Sequence, residues 1–544
     1  MSDGPTASAL EGALERATAR VEDALGALST QRRVDLTGLP PSAAALLLAK
    51  HTARSKDRVL VLTPDTDAAR RAVTDLELFA GMADSDGDSS DDVLCYPAHE
   101  ASPFLEVAPD RRAAMERLST LFHLAQGLPW RFLVAPMSAL PRRVPPRDAI
   151  LKRSMVVRAE EELDRDELVD VLVEGGYMRV PVVEDPGTFA VRGALIDVYP
   201  PHATQPARIE LDDWLVLSVK RFDPDDQRTL ESVGELRVHP VKDALYGPDE
   251  VALARMRVRE LCDSIDMPTR TTKQILDDLE SGRLYLGLEG FLPAFYPKLE
   301  TLFDYLPDDL LVVVLDPTAS VRTATDALER AERDLAARRA ESKPTFDFDA
   351  HYLDAPDVAE ALMARRLGLV HRLLVSGSTD DEGALAPLES APPDDVLRLA
   401  AEDQQPLIAE LKARRAAHGK EDGLVPLARK TQRWLDQGLR VVFTARTSTQ
   451  AGRLASILKN YGVALAKGDA EAFTPAALDG RPPGAAQITV GNLSAGFVMA
   501  TEALVVVTEE EVFGTRAHRK RKRPRAKGLD KSRGRAFLED LRQL

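Results

Sequence analysis

"VDLTGLPPSAAALLLAKH", residues 34–51, joins a strand-like stretch to a helix-like stretch through a short loop, the local pattern of an α/β domain. Gly38 stands where the phosphate-binding motif G-x-x-x-x-G-K-[ST] has its first glycine. The positions that should hold glycine, lysine and a hydroxyl residue are Ala43, Ala44 and Ala45. Pro40 and Pro41 also lack the amide hydrogens that would face a phosphate. The sequence therefore predicts a structural turn, a degenerate P-loop that does not bind ATP.

Further apolar strands alternate with helical stretches, which predicts a parallel sheet covered by helices on both faces. The predicted strands are RVLVLTP (58–64), VLCYPAH (93–99), RFLVAPMSAL (131–140) and LLVVVLDP (310–317). Between the third and the fourth of these, the sequence becomes β-rich, with FAVRGALIDVYPP, ARIELDD and LSVKRFDP. Asp185, Pro186 and Gly187 together are typical of a hairpin turn. We expect a small β-rich domain inserted into an α/β domain.

These patterns divide the chain into segments. The predicted segments are the first part of an α/β domain (1–145), the inserted domain (146–242), the second part of the α/β domain (243–342), a further α/β domain of unclear role (343–515) and a basic tail (516–544). Residues 326–342, DALERAERDLAARRAES, are charged and thinly apolar. We therefore expect them to form an exposed connector helix.

Composition excludes several classes of protein. The chain has 544 residues and a net charge of −16, which argues against tight non-specific DNA binding by the whole surface. Cys95 and Cys262 are too few for a disulfide framework, which favours a reducing cytoplasm. A secretory signal and a run of about 18 apolar residues are both missing, so we expect no membrane partner. The motifs H-E-x-x-H and G-x-S-x-G are also missing, so we expect neither a metal site nor catalytic residues.

A basic run, AHRKRKRPRAK at residues 517–527, contains seven Lys or Arg residues and no acid. Such a run is most often a solvated linker. The alternative is contact with nucleic acid. The candidate side chains for that contact are Arg519, Lys520, Arg521, Lys522 and Arg523.

Four stretches resemble a known family: GTFAVRGALIDVYP, RFDPDDQRTLESVGELRVHP, GLEGFLPAFYPKLETLFDYLPDD and TEEEVFG. In order along nearly the whole chain, they resemble the N-terminal half of bacterial transcription-repair coupling factors, and the middle two also resemble the excision-repair protein UvrB. The resemblance implies a degenerate RecA-like, UvrB-homology domain. It also implies that the inserted domain docks UvrA, and that the protein acts in transcription-coupled nucleotide excision repair.

Arg179 in GGYMRV and Arg192 in AVRGAL resemble the spaced arginines with which UvrB contacts UvrA, while a third such position is Ala190 here. If the chain folds back about Pro186, Arg179 and Arg192 lie nearly opposite each other. Two like charges opposite each other on a sheet are destabilising, so acids of a partner or of this chain should offset them. Within the chain, Asp212 and Asp213 are the candidate acids for offsetting the two arginines.

Phe189 and Tyr199 flank the arginine pair and are expected either to add apolar contact area to the UvrA-binding site or to belong to the core. Between His99 and Arg111 stands only EASPFLEVAPD, so the aromatic damage-probing hairpin of UvrB is not expected.

The resemblance also implies what lies beyond Leu544: an RNA polymerase-binding domain, a motor that uses ATP and magnesium on DNA, and a C-terminal domain that masks the UvrA surface. RNA polymerase and DNA would then be partners only through those domains. The favoured interpretation is a non-catalytic module that recruits UvrA. One alternative is part of an ATP-driven translocase whose motor lies on missing sequence or on a separate chain. A second alternative is a DNA-binding protein that uses the basic tail.

Overall fold

A computed structural model describes residues 17–81, 92–107, 110–280, 287–372, 383–390, 395–418, 423–466, 473 and 484–514. The predicted basic tail, with Arg519 to Arg523, lies outside the described residues.

Helices and strands alternate through most of the chain. The helices are α1 (Val21–Thr30), α2 (Pro41–Arg54), α3 (Thr66–Phe79), α4 (Arg111–Ala125), α5 (Arg147–Lys152), α6 (Arg165–Glu174), α7 (Pro248–Ser264), α8 (Thr269–Glu280), α9 (Leu292–Phe295), α10 (Pro317–Ala340), α11 (Phe348–His351), α12 (Ala355–Met363), α13 (Gln405–His418), α14 (Val425–Asp436), α15 (Ser448–Asn460) and α16 (Glu509–Phe513). The strands are β1 (Arg33–Thr37), β2 (Val59–Thr63), β3 (Val93–Cys95), β4 (Phe132–Pro136), β5 (Met155–Arg158), β6 (Met178–Arg179), β7 (Thr188–Arg192), β8 (Leu195–Tyr199), β9 (Ala207–Asp212), β10 (Leu215–Phe222), β11 (Thr229–Ser232), β12 (Glu235–Val238), β13 (Leu311–Leu315), β14 (Arg366–His371), β15 (Leu397–Arg398), β16 (Ala401–Asp403), β17 (Arg440–Ala445), β18 (Gln487–Val490), β19 (Phe497–Met499) and β20 (Leu504–Thr508).

The first α/β domain is built on a parallel sheet with the strand order β15-β1-β14-β13-β2-β4-β3. Its central strands are buried along their whole length, as expected for a sheet covered on both faces. In β2, Leu60 and Leu62 belong to one apolar core, and Val59 and Val61 belong to the core on the opposite face. The predicted α/β fold is confirmed.

The boundary predicted after residue 342 is wrong, because β14 lies between β1 and β13 in the middle of this sheet. The first domain therefore continues to β15. Helix α10 was predicted to be an exposed connector, and this prediction is also wrong. One of its faces is buried against the domain, although its other faces are charged. The buried apolar side chains of that face are Val321, Ala324, Leu328, Ala331 and Leu335.

The inserted domain contains a sheet with the order β11-β10-β9-β8-β7-β6, in which only the β6–β7 pair is parallel. One face of the sheet is covered by α6, whose Leu168 and Leu172 are fully buried in a shared core. The hairpin predicted around Gly187 is wrong, since β6 and β7 run in the same direction. Gly187 instead has a φ of +73° and lies against α4, where an added Cβ would be 2.9 Å from the Arg111 guanidinium.

The second α/β domain has the sheet order β16-β19-β20-β17-β18, with β17 parallel to both of its neighbours. Its residues Phe497 and Met499 belong to the same apolar core as α2 of the first domain. The buried carboxylate of Asp75 also joins the two domains, because it accepts hydrogen bonds from the Ser494 amide (2.7 Å) and hydroxyl (2.6 Å). Within the described parts of the chain, we find no helix that is both long enough and apolar enough to span a bilayer.

Candidate functional site

The outer face of the inserted sheet carries a charged cluster on three adjacent strands. Side chains alternate between the two faces of a strand, so the neighbours of Phe189, Ile196 and Ile209 point away from the core. Strand register places Asp197 on β8 directly beside Arg208 on β9. Arg192 lies two residues beyond Ala190, the direct partner of Asp197 on β7. The sheet thus brings Arg192 and Arg208 to the two sides of Asp197.

Asp197 is the centre of this cluster, and its side chain has no exposed surface. Arg208 donates to both of its oxygens, from Nε to Oδ1 at 2.7 Å and from Nη2 to Oδ2 at 3.0 Å. Arg192 donates from Nη2 to Oδ2. The hydrogen bonds that Arg208 donates to Asp197 raise the pKa of the Arg208 guanidinium, so this group remains charged. A buried carboxylate needs such partners, because burial without them is very costly.

Both arginines also reach solvent. The side chains of Arg192 and Arg208 are 46% and 20% exposed. The Arg208 guanidinium lies over the buried Phe222 ring, 4.7 Å from its centre. This cation–π contact restrains the guanidinium in addition to its hydrogen bonds with Asp197. The Nε and Nη1 hydrogens of Arg192 have no hydrogen-bond partner among the described residues. The cluster therefore combines two cations with one carboxylate. The partly exposed Arg192 keeps hydrogen-bond donors that no described residue uses.

The structure separates the two arginines that the sequence paired. Arg179 on β6 is in register with Phe189, so alternation assigns it to the face opposite Arg192. The prediction that Arg179 and Arg192 lie opposite each other is wrong, because β6 and β7 are parallel. Arg179 is exposed and forms no ion pair with the described residues. The acid that offsets Arg192 is Asp197, rather than Asp212 or Asp213.

The aromatic residues predicted near the site belong to the interior. Phe189 has no exposed surface and Tyr199 is 9% exposed. The Tyr199 hydroxyl is also used internally, since it donates to the Thr204 carbonyl oxygen at 2.9 Å. Of the two alternatives expected for these residues, the structure places both in the core, and neither supplies apolar contact area at the surface. Their role is to support the sheet from which the arginines project.

Sequence reasoning missed Asp197 and Arg208. A signal for Asp197 was present, because it is the only charged residue of the apolar strand LIDVY. Arg208 occupies a comparable position in ARIELD, between the buried residues Ala207 and Ile209. The sequence around these two residues does not indicate that their strands, β8 and β9, are neighbours in the sheet.

The degenerate loop is closed by the chain itself. Gly38 has a φ of +69°, and an added Cβ would lie 3.1 Å from the Ala400 nitrogen. The Ala401 amide donates to the Gly38 carbonyl oxygen at 2.7 Å, and the Leu399 amide donates to the Thr37 carbonyl oxygen at 3.1 Å. From Ser42 onward, the first turn of α2 is buried as well. Its Walker-type positions are 3% exposed or less, namely Ala43, Ala44 and Ala45.

Comparison with known proteins agrees with this architecture. The sequence profile described as "UvrB interaction domain" matches residues 155–243, which include the whole charged cluster. The transcription-repair-coupling factor of Myxococcus xanthus is 32% identical over 508 residues, which are 92% of this chain and 40% of the relative. The chain is homologous to transcription-repair coupling factors. The Bacillus subtilis factor is 27% identical over 507 residues, 91% of this chain and 39% of its own length.

The chain spans about two-fifths of the length of these curated relatives, and the match is consistent with the N-terminal half of a coupling factor. The factor of Haemophilus influenzae is 30% identical over 295 residues, 54% of this chain. Among the residues that the structure describes, no group of three or more His, Cys, Asp or Glu side chains is arranged to hold a metal ion.

Proposed function

We propose that this chain is the partner-docking part of a transcription-repair coupling factor, and that its UvrB interaction domain binds UvrA in nucleotide excision repair. The observation that supports this proposal is the outward-facing pair Arg192 and Arg208 around the buried Asp197. A guanidinium is planar, permanently charged and suited to bidentate contact with carboxylates. We therefore assign the docking surface to the outer face of β7, β8 and β9.

We further propose that this chain is not catalytic. The segment that runs from Leu399 to Ala401 lies where a nucleotide would approach the degenerate loop. Without a lysine and a hydroxyl at Ala44 and Ala45, a triphosphate and its magnesium ion lose their usual ligands. In this proposal ATP, magnesium, DNA and RNA polymerase are bound by other parts of a coupling factor. Hydrolysis of ATP by these 544 residues alone would contradict it.

The test is the affinity of the chain for purified UvrA, measured by calorimetry or surface plasmon resonance, for wild type and Arg192→Glu. We expect the variant to bind at least about 30-fold more weakly, the loss of about 2 kcal/mol that an interface hot spot gives. Arg322→Glu is the matched control, because it makes the same charge change on the solvent side of α10, where the side chain is 82% exposed.

Arg192→Glu removes a partner of the buried Asp197, so we expect it to unfold at a lower temperature than wild type. Binding is therefore measured at a temperature at which circular dichroism shows all three proteins to be folded, which excludes unfolding as the cause of a loss. The proposal fails if wild type does not bind UvrA. It also fails if Arg192→Glu and Arg322→Glu weaken binding by the same factor, since that result would reflect net charge and not a docking surface.

A further inference from the structure

Asp197 carries a charge that packing of the inserted domain does not require. Its strand neighbours Ile196 and Val198 point into the apolar core of the domain, and Asp197, on the other face of the sheet, is not part of that core. Buried ion pairs replaced by well-packed apolar residues are often neutral or stabilising. The presence of a fully buried carboxylate beneath two arginines that are 46% and 20% exposed therefore points to the arginines as the reason for it.

The hydrogen bonds of Asp197 restrict both guanidinium groups. Arg208 is held in a bidentate contact by Asp197 and is stacked on Phe222, so its plane is defined from two sides. Arg192 uses Nη2 for Asp197, so its Nε and Nη1 hydrogens remain available on a side chain that is 46% exposed. Long side chains normally lose conformational freedom when a partner binds, and this loss weakens binding. Here much of that freedom is already lost in the unbound chain.

We propose that Asp197 is a positioning residue, which holds Arg192 and Arg208 as a fixed pair that receives carboxylates of a protein partner. Only the identity of that partner as UvrA rests on the function proposed above. The cluster has one carboxylate for two guanidinium groups, so an acidic side chain of the partner supplies the missing charge. The exposed donors of Arg192 supply the hydrogen bonds for it.

The test compares Asp197→Asn with Asp212→Asn in the full chain. Both substitutions remove one negative charge, and Asp212 lies on the same strand as Arg208 but is exposed. If attraction of an acidic partner depends only on charge, both variants bind UvrA at least as tightly as wild type. If Asp197 positions the arginines, Asp197→Asn binds about tenfold more weakly despite its added positive charge. The asparagine amide donates where the carboxylate accepts, so it cannot hold both guanidinium groups.

A second measurement does not need a partner. In the chain labelled with ¹⁵N-arginine, the Nε–H signal of Arg208 reports its bond to Asp197, and Arg208→Lys assigns that signal. We expect the exchange of this hydrogen with water to be at least about tenfold faster in Asp197→Asn and unchanged in Asp212→Asn. Unchanged exchange in Asp197→Asn would overturn the positioning role.

The two measurements separate the two proposals. If wild type does not bind UvrA but Arg208 is released in Asp197→Asn, the proposed partner is wrong and the positioning role stands. If Arg208 is released and UvrA binding is not weakened, the positioning role in docking is overturned. Should Asp197→Asn not fold, Arg208→Lys keeps the charge of the cluster, and its affinity falls only if the fixed guanidinium geometry matters. An unchanged affinity of Arg208→Lys would overturn the proposal.

Discussion

Gly38→Ala tests whether the degenerate loop is packed tightly against the segment that follows β15. Gly38 has a φ of +69°, and a Cβ there would lie 3.1 Å from the Ala400 nitrogen. Ala400 cannot move away freely, because its neighbours Leu399 and Ala401 donate hydrogen bonds to the loop at 3.1 and 2.7 Å. The substitution therefore combines a left-handed backbone conformation with a close contact to a fixed segment.

The expected loss of stability is the sum of these effects. A left-handed conformation costs an alanine about 1–2 kcal/mol. Replacement of glycine restricts the unfolded chain and returns about 0.4–1 kcal/mol. Overpacking of a well-ordered contact adds about 1–3 kcal/mol. We expect Gly38→Ala to lower the free energy of unfolding by about 3 kcal/mol, the midpoint of a range of about 1–5 kcal/mol.

Gly127→Ala is the matched control for the conformational part. Gly127 has a φ of +67°, nearly that of Gly38, but a Cβ at this position has no described atom within 4 Å. We expect this control to cost about 1 kcal/mol or less. The assay is chemical unfolding, with hydrogen exchange read on peptides that cover β1 and α2. If Gly38→Ala lowers the free energy of unfolding no more than Gly127→Ala does, the loop is not packed tightly against Ala400 and the reasoning is refuted.

Two further predictions concern pH and the basic run. Burial raises the pKa of Asp75 from 3.8 to about 7, so the folded chain binds more protons than the unfolded chain between these values, and stability falls as the pH rises through that range. In Asp75→Asn, thermal unfolding measured from pH 5 to 8 should show a flatter dependence, and a wild-type slope would contradict this assignment. Deletion of residues 517–527 removes seven cations and should abolish any salt-dependent affinity for DNA, measured by fluorescence anisotropy at several salt concentrations. DNA binding that survives the deletion with the same salt dependence would exclude the basic run as its source.

Local sequence patterns were sufficient for the broad architecture. Apolar strands such as Val59–Thr63 and Leu311–Leu315 are recognisable because a buried parallel strand is apolar on both faces. The β-rich texture of the inserted domain follows from alternation within each strand. β14 was assigned to the wrong domain, because nothing within Arg366–His371 indicates that its partners are β1 and β13.

The proposed docking face also shows which information is local to a strand and which depends on the whole domain. From the sequence, Arg192 could be singled out by resemblance to UvrB, and the degenerate loop could be identified from Ala43, Ala44 and Ala45. Only the tertiary structure placed Arg208 and Asp197 beside Arg192. It also placed Arg179 on the opposite face of the sheet. The physical reason is that alternation along one strand is a local property. Which strands are neighbours, in which direction and in which register, is decided by the packing of the whole domain.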